Sequence, residues 1–178
     1  MRHFKKSLMG VFVSMIITAP MASQAAETTT INIQGKVIAA ACTVDNSGVY
    51  AVTMPDVTAA ELVTAGSAPD SGKKDFDVTL SECPQGTTSV TATFVGTAAV
   101  GASTKYANTT GAGYAQNVAV QLQNRTGTVS DKGDSSTMKV DVDGSRNVTF
   151  DLSARPYSLG NTTVGNISTV VLMNLEYN

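Results

Sequence analysis

Gly165-Asn-Ile-Ser-Thr-Val-Val-Leu-Met-Asn-Leu-Glu-Tyr177-Asn178 closes the chain. Ile167, Thr169, Val171, Met173, Leu175 and Tyr177 recur at every second position, the period of a strand with one buried and one exposed face. The strand runs out at Asn178, so no following segment is on hand to pair with its free edge. Toward the other end, Thr28-Thr-Thr-Ile-Asn-Ile-Gln-Gly-Lys-Val-Ile38 alternates in the same way, with Thr29, Ile31, Ile33, Gly35 and Val37 on one face. One end of the chain reads as a strand in need of a neighbour, the other as a strand to spare.

The first residues have a different character. Arg2, Lys5 and Lys6 precede an apolar run from Leu8 to Ala19, and Ser23-Gln24-Ala25 supplies small residues for cleavage after Ala25. This pattern predicts a secretory signal peptide over 1–25, and no later segment approaches the twenty apolar residues of a membrane-spanning helix. Cleavage would leave 153 of the 178 residues, a length that suits one domain. It would remove three of twelve basic residues and none of fourteen acids, taking the net charge from −2 to −5. A chain of that charge, with no basic cluster, offers nothing to nucleic acid or an anionic bilayer, and direct membrane insertion is not expected.

Beyond the signal the composition is rich in Thr, Val, Ala, Gly, Ser and Asn, the residues of short strands and the turns between them. Strand-like segments are expected at 29–43, 48–54 (stopped by Pro55), 75–80, 89–95, 118–123, and on either side of a hairpin turn at Asp143-Gly144. Residues 55–74 read as a loop with one helical turn near 59–63, and 96–116 as a long mobile loop. The fold class is all-β, a two-sheet sandwich. Cys42 and Cys83 are the only cysteines of an exported chain, and pair as one disulfide.

Catalytic chemistry finds little support. The single histidine, His3, leaves with the signal peptide, which removes the residue at the heart of most acid–base relays and zinc sites. Asp141-Val-Asp143-Gly144 lacks the full ligand run and distal Glu of a calcium loop. Asp75 and Asp77 alternate with Phe76 and Val78 as on a half-solvated strand. Neither cofactor nor metal is expected, and the chain does not read as an enzyme. Five Asn-x-Ser/Thr triplets, at Asn108, Asn124, Asn147, Asn161 and Asn166, arise by chance in a Thr-rich sequence. Tyr157 and Tyr177 are expected to pack in the core.

Taken together, Ile31-Asn-Ile-Gln-Gly-Lys-Val-Ile38 before Cys42-Thr-Val, Leu80-Ser-Glu-Cys83-Pro, Ala115-Gln-Asn-Val-Ala-Val-Gln-Leu122 and the Gly165–Tyr177 pattern are similar to chaperone-usher pathway pilins of the type 1 fimbrial subunit family. The resemblance covers essentially the whole mature chain, although Thr169 and Met173 are less apolar than the family pattern favours. It implies an incomplete immunoglobulin-like sandwich of six strands, with an N-terminal donor-strand extension over 26–37 and a pilin domain over 38–178. Thr29, Ile31, Ile33, Gly35 and Val37 would form the donor strand. Gly165, Ile167, Thr169, Val171, Met173, Leu175, Tyr177 and Asn178 would form the acceptor groove and chaperone contact. The implied partners are a periplasmic chaperone, an outer-membrane usher and neighbouring pilins in a cell-surface fimbria that contributes to adhesion. With 153 mature residues there is no room for a second, receptor-binding domain. The alternative is a self-complete secreted β-sandwich that binds carbohydrate or protein through loops 55–74 and 96–116.

Overall fold

The computed structural model describes residues 29–178, so the signal-peptide reading of 1–25 lies outside the described residues. The chain divides into two units, one ending at Lys36 and the other running from Val37 to Asn178. In the first, residues 29–36 carry no helix or strand, and Ile31 and Ile33 are 77% and 90% exposed.

The second unit is built from nine strands: β1 (Thr43–Val44), β2 (Lys74–Ser81), β3 (Ser89–Gly96), β4 (Ala98–Ala99), β5 (Ala102–Ala107), β6 (Val118–Asn124), β7 (Thr137–Asp141), β8 (Val148–Ser158) and β9 (Val171–Tyr177). They form a six-stranded sheet in the order β1-β2-β8-β6-β5-β4 and a three-stranded sheet in the order β7-β3-β9. Every named pairing is antiparallel. Alternation sorts the side chains. Val78 and Leu80 of β2, Val120 and Leu122 of β6, and Val148, Phe150 and Leu152 of β8 face Val90, Ala92 and Phe94 of β3 across one core. The Cys42–Cys83 disulfide staples the lead into β1 to the chain just past β2.

Pro156 is tolerated inside β8 because it lies past the last β2 partner, at Lys74↔Ala154, where only β6 flanks the strand. On the outer face of the larger sheet, Gln121 and Gln123 meet Asp131, which also pairs with the buried Lys105. Burial pushes the Asp131 carboxyl up, but the hydrogen bonds from Lys105, Gln121 and Thr104 outweigh it and hold the group below its usual range.

Several expectations need correction. The strand read over 29–43 is reduced to Thr43–Val44, with Val37 98% exposed. The stretch 96–116 is no mobile loop over its first half: β4 and β5 turn about Gly101, and Lys105 and Tyr106 are buried. Asp143-Gly144 does not close a hairpin, since β7 pairs with β3 in one sheet and β8 with β2 and β6 in the other. It is a corner between sheets, held by Asp143 Oδ1, which accepts from the Ser145 and Asn147 amides at 2.8 Å. Tyr157 lies half-buried with Lys105 Nζ 4.8 Å from its ring centroid, on the outer face rather than in the core. The helical turn expected near 59–63 is present, as a 3-10 helix over Ala59–Leu62 that is closed by reciprocal bonds between Thr58 and Glu61.

Among the described residues Tyr106 is the largest fully buried side chain, and its hydroxyl finds no hydrogen-bond partner among them. Burial first, and the charge of Asp134 second, push its pKa up to about 12. A phenol whose pKa is raised on folding contributes stability that is intact below its unfolded value of about 10 and drains away as pH climbs toward 12. Tyr106→Phe is expected to fold, to gain about 1 kcal/mol by shedding an unpaired polar group, and to lose stability less steeply over that range. Urea denaturation of both proteins at a series of alkaline pH values checks this; parallel pH profiles would refute it.

Candidate functional site: a groove along the last strand

β9 hydrogen-bonds to β3 alone, through the register Val90↔Tyr177 to Gly96↔Val171. Among the described residues its other edge has no strand neighbour. The consequence is visible along the strand. Val171, Met173, Leu175 and Tyr177 point at the core, yet each stays only half-buried, while the inward residues of β3 are fully covered. Beside β9 lies an apolar groove of about 520 Å³.

Each wall comes from a different part of the chain. Ile167, Thr169, Val171, Met173 and Leu175 form one side, and the floor is the core itself, including Phe94, Tyr106, Val120 and Leu122. The opposite side is made by Tyr50, Val52 and Met54. Residues 49–54 alternate exposed and half-buried like a strand. No backbone group of residues 50–57 bonds to another described backbone group, so the segment expected to be a strand is extended but unpaired. The groove is thus bordered by two extended stretches that lack a ladder partner toward it, with apolar side chains below. Unpaired edges over an apolar trough are the standing hazard of sheet proteins and the usual place where a further strand adds.

Of the residues singled out from sequence, Ile167, Thr169, Val171, Met173 and Leu175 line this groove, and Gly165, Tyr177 and Asn178 stand just beyond it. Gly165 has φ +152°, and a Cβ there would be driven into the Ala115 amide and the Tyr114 carbonyl carbon. This close approach belongs to a clamp. The Ala115 amide donates to the Asn166 carbonyl at 3.0 Å and the Asn166 amide to the Gly113 carbonyl at 2.8 Å. The buried Asn108 carboxamide donates to the Ala115 carbonyl and accepts from the Ser168 amide, both at 2.7 Å. Residues 165–170 are therefore no part of the strand; they are the tied-down lead into it. Asn178 is held too, its main-chain oxygen accepting from the Thr88 amide at 2.6 Å and the Ser89 amide at 3.2 Å. The tyrosyl group of Tyr177 has its pKa raised by burial.

Sequence reasoning missed the far wall and Asn108. Tyr50, Val52 and Met54 alternate in the sequence, but nothing in it tells a paired strand from an unpaired one. Asn108 carried only a misleading triplet.

The family model described as fimbrial protein matches residues 31–178. The chain belongs to the fimbrial protein family. The subunit is 34% identical to the protein FimG of Escherichia coli K12 over 169 residues, covering 94% of this chain and 96% of that one. It is 32% identical to the laminin-binding fimbrial subunit ElfA of E. coli O157:H7, covering 97% and 99%. Its fold is shared with a subunit of a chaperone-usher pilus (TM-score 0.60, 22% identity, 90% and 100% covered) and with the P pilus rod subunit PapA (TM-score 0.61, 19% identity, 78% and 100% covered). The sandwich is accordingly the incomplete immunoglobulin-like one, and the subunit is a structural protein, not an enzyme.

Replacing Gly165 tests the clamp. Gly165→Ala is expected to lower stability by about 2 kcal/mol or more, since it adds a backbone clash to an unfavourable φ. Chemical denaturation should register the loss, and amide exchange should quicken at Ala115, Asn166 and Ser168 before β6. A neutral substitution would mean that the lead into β9 is not held as described.

Proposed function

We propose that this fimbrial subunit assembles into a surface fibre by accepting a strand in the groove beside β9 and donating its own residues 29–37 to the next subunit. The observation that carries the reading is the half-buried inward face of β9 opposite the unpaired segment 49–54. A strand laid between them would bond to two backbone edges and cover Val171, Met173 and Leu175 at once. The donor side is supported by Ile31, Ile33 and Val37, which are exposed and outside any strand. Each would contribute on the order of 1.5–3 kcal/mol if fully buried, less the cost of ordering an extended segment.

Glycine at position 35 has open space around it, so its own unit gives no reason for it. Its place on the donor face fits a partner groove too shallow at that point for a side chain. Thr29 would open the donor strand. Until a neighbouring subunit arrives, a periplasmic chaperone shields the groove and an outer-membrane usher passes the chain outward. Gly165 and Asn178 bracket the chaperone contact, with the main-chain oxygen of Asn178 already bound by the Thr88 and Ser89 amides. The assembled fibre contributes to adhesion of the cell that bears it.

Two substitutions separate the roles. Val171→Asp places an uncompensated charge in the apolar wall and should abolish both chaperone capture and strand acceptance. Gly35→Leu should leave chaperone capture untouched but slow donation to a neighbouring subunit by about tenfold or more, equivalent to about 1.4 kcal/mol at the transition state. Co-purification with the chaperone reads the first, and strand exchange against a synthetic peptide of residues 26–40 reads the second. Normal capture by the first variant, or equal exchange by native and leucine peptides, would contradict the assignment.

A further inference from the structure

The far wall of the groove is tied to β2 by Tyr50. β1 pairs with β2 only through Thr43↔Ser81 and Val44↔Leu80, and the same register would next set Asp45 against Thr79. Instead the chain turns off through three successive left-handed residues, Asn46 (φ 53°), Ser47 (φ 54°) and Gly48 (φ 74°). The abandoned place on β2 is taken by Tyr50. Its hydroxyl donates to the Thr79 carbonyl and accepts from the Thr79 amide, each at 3.1 Å. Asp45 reinforces the departure from the side: its carboxylate accepts from the Thr79 and Ser81 hydroxyls, both at 2.7 Å. Those two bonds, that from Thr79 first, keep its carboxyl below the ordinary carboxylate range.

The arrangement has a clear mechanical sense. A β2 edge left open at Thr79 invites residues 45–50 to continue the β1 ladder, which would draw 49–54 onto the six-stranded sheet and away from the groove. Tyr50 satisfies both Thr79 backbone groups with one hydroxyl while its side chain lines the groove. We infer that Tyr50 is a positioning residue for strand acceptance: by capping β2 at Thr79 it stops the β1 ladder and presents 49–54 as the second neighbour of the incoming strand. The inference rests on the groove being a strand acceptor.

Tyr50→Phe keeps the ring and removes only the cap. In the exported, oxidised chain it should leave amide protection in β3 and β6 unchanged, while exchange at the Thr79 amide accelerates about tenfold or more. Capture of a peptide spanning residues 29–37 should slow by about tenfold. A loss of general stability alone would move β3 and β6 together with Thr79, which separates a structural effect from a positioning one. The unmodified chain gives an independent reading that needs no variant: before any peptide is added, Thr79 should already be protected although the β1 ladder ends at Val44. Capture at the native rate by Tyr50→Phe, or an unprotected Thr79 in the native chain, would overturn the inference. Failure of the native chain to capture any strand peptide would instead defeat the acceptor reading on which it rests.

Discussion

A single one-sided ladder governs this molecule. β9 spends all of its strand pairing on β3 and has no strand along its other edge among the described residues. From that follow the half-buried face of Val171, Met173, Leu175 and Tyr177, and the groove through which the core meets its surroundings. A sandwich closed at this point would bury those four side chains as it buries Val90, Ala92 and Phe94. Apolar surface left half-covered carries a cost that covering it would remove. The disulfide, the Asn108 clamp and the Tyr50 cap each fix one part of the groove's frame while leaving the groove itself open.

Polar chemistry, more than apolar packing, does this framing. Asn108 is buried at the lead into β9 and engages the chain through both ends of its carboxamide. Asp143 turns the chain from one sheet to the other with two backbone amides on one oxygen. Across the outer face of the larger sheet, Lys105, Gln121, Gln123, Arg155 and Asp131 join β5, β6 and β8 to the segment after β6. Such groups would be expensive to bury alone and are inexpensive when mutually satisfied.

Much of this was legible in the chain. Alternation placed β2, β3 and β6 within a residue or two of their observed bounds, because each buries one face and exposes the other. The six residues on the inward face of the last segment were read as one strand, yet only those from Val171 onward pair. Gly165 through Val170 keep the alternation without the ladder, since their backbone partners lie in residues 108–115. The β4–β5 hairpin escaped notice because its residues are mostly Ala, Ser, Thr and Gly, and its one aromatic side chain, Tyr106, sits among them without a pattern. Asp143-Gly144 marked a turn correctly, but which sheet each flanking strand joins is a tertiary matter that local turn chemistry does not encode. Residues 49–54 are the sharpest case. Their alternation is that of a strand, and what sets them apart is the absence of a neighbour.

Amide hydrogen exchange along β9 in the exported, oxidised chain tests the central claim most directly. With β3 on one side only, the account predicts that amides bonded to β3 exchange slowly while those directed at the groove exchange at rates close to exposed backbone, in alternation along the strand. Adding a strand peptide of residues 29–37 should then slow the fast set and leave the slow set as it was. Uniform protection of Val171–Tyr177 in the isolated chain would contradict it, because β9 would then already lie between two neighbours.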